Sequence, residues 1–257
     1  MTNNPSTTTL LEFALDAAWQ AGRMTLAHYQ TSIQISRKDD NTPVTIADRE
    51  AELKIRRLIT DNWPDHGIIG EEFGREPRKS SYTWIIDPID GTNSFISGVP
   101  LYSTLIALTD GDHALIGVAH FPALGETIYA VRNGGCYWNG RRAHVSNVDK
   151  LSDAVLLTSG LNYFGSKTPA WERLVDNTYI QRTWGDAYGY FLVATGRAEV
   201  MVDPAMHLWD SAPFQVIIEE AGGTFTDWQG NPTIHAPESM ATNGTLFKDV
   251  LSLIHSE

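Results

Sequence analysis

Apolar side chains near the start of the chain recur every three or four positions, which is the spacing of an amphipathic helix. This pattern covers residues 9–30 and returns in a second stretch that begins near residue 46 and ends near residues 63–64. The first turn of the second stretch is mostly acidic, as the helix dipole favours. We therefore expect two helices, each with one face on the core.

Short apolar runs follow at residues 68–69 and 82–86, and each leads directly into acidic residues. Residues 103–145 then alternate apolar runs with turn dipeptides such as Asp-Gly and Asn-Gly, which predicts an antiparallel meander. The first half of the chain is thus expected to form helices and a largely antiparallel sheet.

After residue 148 the pattern changes, and predicted strands alternate with predicted helices. We expect strands at residues 154–157 and 199–202 and helices at residues 170–177, 187–195 and 209–221. Gly222 and Gly223 are expected to end the last of these helices, since glycine readily adopts the positive backbone angles of a C-cap. One further strand and a terminal helix complete the prediction.

Together these elements predict an α+β fold. No linker rich in Pro, Gly and Ser separates the halves, so we expect one domain over residues 1–257, with subdomains 1–148 and 149–257 as the alternative. A chain of 257 residues with 42% hydrophobic residues is long enough to bury a substantial core.

The composition narrows the class of protein. A net charge of −12 repels phosphate backbones, so no nucleic-acid partner is expected. Residues 1–9 lack the pattern of a signal peptide and no apolar run reaches spanning length, so no membrane partner is expected. Cys136 is the only cysteine, which excludes an intramolecular disulfide and suits a reducing compartment, and we expect a cytoplasmic protein.

Acidic residues follow several of the predicted strands. Asp87 and Asp90 end an apolar run and could share a cation. The alternative, which this segment alone favours equally, is a plain turn, because Asp-Pro and Asp-Gly are common turn dipeptides. Glu71 and Asp210 also come next to predicted elements, where each alone is more often a solvated acid or a helix cap. In combination, and without an HExxH pattern, these carboxylates favour a hard cation, Mg²⁺ or Mn²⁺, over zinc.

A small polar segment, Gly91, Thr92 and Asn93, comes directly after these acids. If it begins a helix, its free backbone N–H groups would bind a phosphate; the alternative is a capped turn. Carboxylates for a cation beside amides for an anion suit metal-assisted phosphoryl transfer. No GxxxxGK[ST] pattern is present, so a P-loop enzyme is not expected.

Three segments resemble the inositol monophosphatase family of metal-dependent, lithium-sensitive phosphatases. They are residues 70–72, residues 87–92, and Trp209-Asp210 followed by residues 220–223, in the order and approximate spacing of the family. The resemblance covers nearly the whole chain. It implies a layered αβαβα sandwich, with the meander in the first half and alternating elements in the second, and it suggests a homodimer and lithium inhibition.

The resemblance also implies a set of metal ligands. Glu71, Asp87 and the Ile89 carbonyl would hold one Mg²⁺, and Asp87, Asp90 and Asp210 would hold a second. A third, weaker ion near Glu71 is part of the same expectation, so two or three ions are expected, with Mn²⁺ as the other cation that such carboxylates accept.

Catalytic roles come with the same resemblance. Thr92, hydrogen-bonded to Asp48, would orient and deprotonate the attacking water, and Glu71 would contribute to the same step. The amides of Gly91 and Thr92, with Asn93 beside them, would hold the phosphate. The resemblance assigns no role to Lys38, and the eight scattered histidines are expected to be ordinary surface or core residues.

The choice of phosphate monoester depends on residues outside the shared segments. Residues 185–190 read Gly-Asp-Ala-Tyr-Gly-Tyr, which resembles the histidinol-phosphate phosphatase branch of the family. The implied substrate contacts are Asp186 and Asp203, because an added carboxylate favours a substrate that carries an ammonium and an imidazole. The alternative for Asp186 is a helix N-cap. Asn93 departs from this branch, in which lysine is often found.

Two other functions remain open on the sequence. One is a phosphatase for inositol monophosphate or a similar polyol phosphate, with a nucleotide phosphatase less favoured because no basic pocket is evident. The other is a regulatory, RNA-associated protein that keeps the fold without catalysis, against which the intact acids and Thr92 argue. The aromatic residues Trp184, Tyr188 and Tyr190 are expected to contribute packing rather than substrate stacking.

Overall fold

A computed structural model describes residues 5–39 and 41–256 of the chain, so residues 1–4 of the polar N-terminal segment lie outside it. The described residues form seven α-helices. They are α1 (Thr7–His28), α2 (Ile46–Asn62), α3 (Thr92–Ile96), α4 (Thr168–Asn177), α5 (Ala187–Ala194), α6 (Leu208–Glu220) and α7 (Phe247–His255). None of these helices combines the length and apolar character needed to cross a membrane.

The strands of the same residues form three sheets. They are β1 (Ile35–Arg37), β2 (Pro43–Thr45), β3 (Gly67–Gly70), β4 (Gly74–Glu76), β5 (Tyr82–Asp90), β6 (Ser103–Asp110), β7 (His113–Phe121), β8 (Glu126–Val131), β9 (Gly135–Trp138), β10 (Arg141–Arg142), β11 (Val155–Leu157), β12 (Ile180–Arg182), β13 (Val200–Asp203), β14 (Thr224–Thr226) and β15 (Ser239–Thr242). Strands β1 and β2 pair as a separate antiparallel hairpin.

The largest sheet has eight strands in the order β10-β9-β8-β7-β6-β5-β3-β4. Its strands from β6 to β10 are consecutive antiparallel neighbours, so the predicted meander is confirmed. Strand β3 runs parallel to β5, with Gly70 opposite Ile86. Because parallel neighbours end at the same edge of a sheet, this pairing places Glu71 beside Asp87.

The smaller sheet has five strands in the order β12-β11-β13-β15-β14. Strand β11 is parallel to both β12 and β13, whereas β15 is antiparallel to β13 and β14. The expectation of one strand after α6 is wrong, because both β14 and β15 follow it. Each has only three or four residues, too few for a clear alternation of apolar and polar positions.

The helices and the two larger sheets stack in five layers, which confirms the predicted αβαβα arrangement. Helices α1 and α2 pack on one face of the eight-stranded sheet, and α6 packs on its other face. Helices α5 and α6 also contact the five-stranded sheet, whose far side is covered by α4 and α7. The division into one domain or two subdomains stays a prediction.

Helix α6 lies closely against the eight-stranded sheet because a glycine leaves room for it. A Cβ atom at Gly117 of β7 would lie only 2.2 Å from the carbonyl oxygen of Pro213 in α6. After the helix, Gly222 has a φ of +93° and provides the expected C-cap. The same expectation is wrong for Gly223, which allows close contact instead: a Cβ atom there would lie 2.5 Å from the Thr242 carbonyl oxygen.

Candidate active site

Three aspartates from two elements meet at one end of the eight-stranded sheet. Asp87 and Asp90 lie in the last part of β5, on either side of a register shift, and Asp210 is the third residue of α6. Each contributes a carboxylate oxygen to a group whose atoms all lie within 4.8 Å of one another. Asp87 is 3% exposed and Asp90 8% exposed, so the charges have little water around them.

Burial and mutual repulsion make these carboxylates hard to ionise. The pKa of Asp87 is raised by burial first and then by the charges of Glu71, Asp90 and Asp210. The pKa of Asp210 is raised to about 8 by burial, although the backbone N–H of His207, 2.8 Å from its Oδ2, opposes the shift. A bound cation would remove both penalties, and an all-oxygen donor set is the kind that Mg²⁺ and Ca²⁺ accept. The residues therefore fit a hard divalent cation.

Glu71 follows β3 and lies beside this group, where its backbone N–H donates to the Ile86 carbonyl at 3.2 Å. Its carboxylate is already paired, because Lys38 Nζ lies 2.7 Å from Glu71 Oε1 and 2.5 Å from Glu72 Oε1. Burial lowers the pKa of Lys38, but its hydrogen bonds to the two glutamates outweigh that effect and raise it. No role was assigned to this lysine, which follows the short strand β1.

The turn after β5 begins α3, as a phosphate-binding segment requires. Gly91 has a φ of +76°, a conformation in which glycine alone avoids a steric penalty. The Thr92 hydroxyl lies 3.0 Å from the Ile89 carbonyl oxygen and 3.4 Å from Asp48 Oδ1. The Asp48 carboxylate also accepts from Thr45 at the start of α2, as part of a capping box.

Asp48 is almost completely buried, at 1% exposure. Burial raises the pKa of its carboxyl group, while the hydrogen bonds from Thr45 oppose the shift. The predicted contact between Thr92 and Asp48 is thus present in the structure, with one carboxylate oxygen, Oδ1, directed at Thr92 and the other committed to the helix cap.

The cavity around these residues has two lobes that share Asp90, Asp186 and Asp210. The first, which we call the aspartate lobe, has a volume of about 280 Å³ and also contains Glu71, Asp87, Ile89, Gly91, Thr92, Asn93 and Lys38. The second, the side lobe, has a volume of about 200 Å³ and extends past Ser159 to Asp203. Among the described residues that line the side lobe there is no lysine or arginine.

Asp186 stands between the two lobes in an unusual backbone conformation. Its φ of 52° and ψ of −152° lie in a region that non-glycine residues rarely occupy, at a cost of about 1–3 kcal/mol. It precedes α5, but its side chain makes no capping hydrogen bond, so the N-cap alternative is not supported. Instead the Ala187 N–H, in the first turn of α5, donates to Asp90 Oδ2 at 2.8 Å.

Asp203 ends β13 at the inner end of the side lobe and is 3% exposed. Its carboxylate accepts hydrogen bonds from the Ser159 hydroxyl at 2.6 Å, the Ser159 N–H at 3.3 Å and the Tyr190 hydroxyl at 3.3 Å. Burial raises the pKa of Asp203 to about 7, although the bonds from Ser159 oppose the shift. The acid is therefore harder to ionise than an exposed aspartate, and a nearby cation would favour its charged form.

Several lining residues were not identified from the sequence. Ser159 has no motif around it, and Tyr190 was expected only to pack, although it both stacks on Phe214 and donates to Asp203. His207 was expected to be an ordinary histidine, yet it lines both lobes and its ring stacks on that of Trp209 at a centroid distance of 4.9 Å.

Comparison with known proteins agrees with this geometry. The model of the Inositol monophosphatase family matches residues 6–256. The chain is 42% identical over 249 residues to a histidinol-phosphatase of Chlorobaculum parvum, covering 95% of this chain and 96% of that protein. It is 35% identical over 255 residues to a histidinol-phosphatase of Mycobacterium tuberculosis, covering 96% and 98% respectively.

Solved structures show the same fold. The Thermotoga maritima IMPase is 31% identical, with a TM-score of 0.87 and 96% of each chain covered. The extragenic suppressor protein SuhB of Bartonella henselae is 27% identical, with a TM-score of 0.91, covering 96% of this chain and 99% of that one.

Proposed function

Because the chain belongs to the inositol monophosphatase family and is a phosphatase, we propose that it is a magnesium-dependent histidinol-phosphatase. The proposed reaction is the hydrolysis of L-histidinol phosphate to L-histidinol and phosphate, a step of histidine biosynthesis. Both relatives described above carry the name histidinol-phosphatase and align over nearly their whole length.

The observation that carries the substrate assignment is the charge of the side lobe. Asp186 and Asp203 face it, and no described lysine or arginine lines it. A leaving group with an ammonium and an imidazole would be attracted there by charge, whereas a neutral polyol would gain only hydrogen bonds from the carboxylates. The volume of about 200 Å³ suits one small ring on a short chain, since pockets for drug-sized ligands begin at about 300 Å³.

We assign the cation ligands to the acids of the aspartate lobe. Asp87, Asp90 and Asp210 are close enough to share one ion, and Glu71 with the Ile89 carbonyl extends the donor set towards a second. Mg²⁺ bound there would offset the charge of the phosphate and make a nearby water more acidic. Enzymes of this family depend on divalent metals.

The protein groups around the phosphate have complementary tasks. The backbone amides of Gly91 and Thr92, with Asn93 beside them, would hold the phosphate oxygens at the start of α3. The Thr92 hydroxyl would accept a proton from the attacking water as it passes its own to Asp48 Oδ1, 3.4 Å away. The raised pKa of Asp48 favours that transfer, because it makes the carboxylate a better base.

A phosphate-release assay on three esters tests this proposal. We expect kcat/KM for L-histidinol phosphate to exceed that for inositol 1-phosphate by about 100-fold or more in the presence of Mg²⁺. Phenyl phosphate provides a neutral aromatic leaving group for comparison. Equal or greater activity on inositol 1-phosphate would favour the polyol phosphatase, and the absence of activity on any ester would favour a regulatory protein.

Two further parts of the proposal need separate measurements. Chelation by EDTA is expected to abolish phosphate release, and added Mg²⁺ to restore it more effectively than Zn²⁺. A homodimer is proposed from the family, and sedimentation of the purified protein would test it.

A further inference from the structure

One hydroxyl group connects the two acids of the side lobe. Ser159 follows β11, and its Oγ accepts a hydrogen bond from the Asp186 backbone N–H at 2.7 Å. The same oxygen donates its proton to Asp203 Oδ2 at 2.6 Å. A serine hydroxyl has one proton to donate and lone pairs to accept, so both bonds form at once.

The segment that carries Asp186 is held tightly against Ser159. A Cβ atom at Gly185 would lie 2.0 Å from the Ser159 Cα atom, so only glycine permits this approach. The Asp186 amide is therefore directed at Ser159 Oγ while its φ stays at 52°. That bond is one of the contacts that keep residue 186 in a region that non-glycine residues avoid, together with the bond from the Gly189 N–H to the Asp186 carbonyl.

The next amide in the chain is fixed from the opposite side. The Ala187 N–H donates to Asp90 in the aspartate lobe, whereas the Asp186 N–H donates to Ser159 in the side lobe. The Asp186 carboxylate lies close to the phosphate-binding turn. If Gly91 carried a Cβ atom, that atom would lie 3.0 Å from Asp186 Oδ2. The position of Asp186 thus sets the distance between the phosphate and any cationic group beside it.

From these contacts we propose that Ser159 is a positioning residue for substrate selectivity. Its hydroxyl holds Asp186 at the distance from the phosphate-binding turn that a cationic leaving group requires, and its bond to Asp203, which keeps two other hydrogen-bond donors, orients the hydroxyl for that contact. The inference rests on the proposed function for the identity of the cationic ester. Ser159 acts through Asp186 and takes no part in proton transfer.

The test is a double-mutant cycle with Ser159→Ala and Asp186→Asn, measured as kcat/KM for L-histidinol phosphate and for phenyl phosphate. We expect Ser159→Ala to lower the ratio of the two values about tenfold, mainly through KM for the cationic ester. In the Asp186→Asn background the same change should lower the ratio less than twofold, because the group that Ser159 positions has lost its charge.

Three controls make the result decisive. Ser159→Thr keeps the hydroxyl and should restore most of the ratio, and Ser166→Ala removes an exposed serine outside the cavity and should leave it unchanged. Thermal melting identifies variants that have lost the fold. The proposal is overturned if Ser159→Ala lowers kcat/KM equally for both esters. It is also overturned if Ser159→Ala changes the ratio by the same factor with Asp186 present and with Asp186→Asn.

The proposed function can fail separately. If the unsubstituted enzyme does not prefer L-histidinol phosphate, the substrate assignment is wrong. The positioning role is then judged by binding of histidinol, a cation without phosphate, measured by calorimetry. The positioning role is supported if Ser159→Ala weakens histidinol binding when Asp186 is present but not when it is replaced by Asn. It is refuted if Ser159→Ala leaves the affinity for histidinol unchanged.

Discussion

The two lobes of the cavity are both acidic, but they hold their charges in different ways. In the aspartate lobe, Asp87, Asp90 and Asp210 lie within reach of a common ion, and burial together with the charges of neighbouring acids raises their pKa values. In the side lobe, Asp203 receives three hydrogen bonds from hydroxyl and amide donors. The first arrangement gains most from an inorganic cation, whereas the second meets part of the cost of its charge with hydrogen bonds and leaves room for an organic cation.

The largest effect is expected where the aspartate lobe loses a ligand. Asp210→Asn should lower kcat/KM about 1000-fold or more with Mg²⁺ present, because it removes several kcal/mol of charge stabilisation. The metal-free variant should melt at the same or a higher temperature than the unsubstituted protein, since a buried carboxyl group that is costly to ionise is replaced by a neutral amide of similar shape. Calorimetry and phosphate release measure both quantities. Loss of the fold in this variant would contradict the assignment.

The stability of the metal-free protein should depend on pH through the same residue. The pKa of Asp210 is about 8 in the folded chain, above the usual value of 3.8. An acid with a raised folded pKa contributes stability below its unfolded pKa, and that contribution is lost as the pH rises towards 8. We therefore expect a lower melting temperature at pH 8 than at pH 5.5 in EDTA.

Magnesium should reduce this pH dependence, because the ion favours the ionised carboxylates. Melting curves at both pH values, with and without Mg²⁺, provide the measurement. The Asp210→Asn variant is the control, and its pH dependence in EDTA should be smaller. A melting temperature that increases from pH 5.5 to pH 8 without metal would show that the aspartates do not repel one another as described.

A change in the side lobe should alter selectivity more than turnover. Asp186→Asn removes one charge at almost constant volume, and we expect the preference for L-histidinol phosphate over inositol 1-phosphate to fall about tenfold. Competition between the two esters measures the preference directly. If Asp186→Asn kept the same preference for L-histidinol phosphate over inositol 1-phosphate, the charge of the side lobe would not select the substrate.

The smallest effect concerns Lys38, a cationic side chain that lines the aspartate lobe. Lys38→Met should tighten Mg²⁺ binding by about threefold, because the pair with Glu71 is partly exposed and its screening limits the effect. Isothermal titration calorimetry measures the affinity, with the exposed Lys79→Met as the matched control. Weaker binding in Lys38→Met would mean that the lysine supports the metal site rather than competing with it.

Much of the aspartate lobe could be predicted because its residues are close in the sequence. Asp87, Asp90, Gly91 and Thr92 belong to one strand and the turn after it, where apolar spacing and residue type are both informative. The placement of Glu71 required only that β3 and β5 end at the same edge. Local pattern therefore pointed to these residues as candidates, while their roles as metal ligands came from the resemblance to the family.

The side lobe could not be assembled in the same way. Ser159 and Asp203 meet because β11 and β13 are parallel with Leu157 opposite Met201, a register that no local pattern encodes. The hairpin that delivers Lys38 was also missed, since β1 is short and exposed at all three positions and lacks an alternating pattern. Long-range register and short exposed strands account for most of what the sequence did not predict.

The contact between Gly117 and Pro213 connects the site to the interior of the molecule. Asp210 is three residues from Pro213 on a helix that is buried along most of its length, so the depth of that helix against the sheet determines how far the carboxylate reaches towards β5. Affinity for a divalent cation is therefore expected to depend on the spacing between this helix and the sheet.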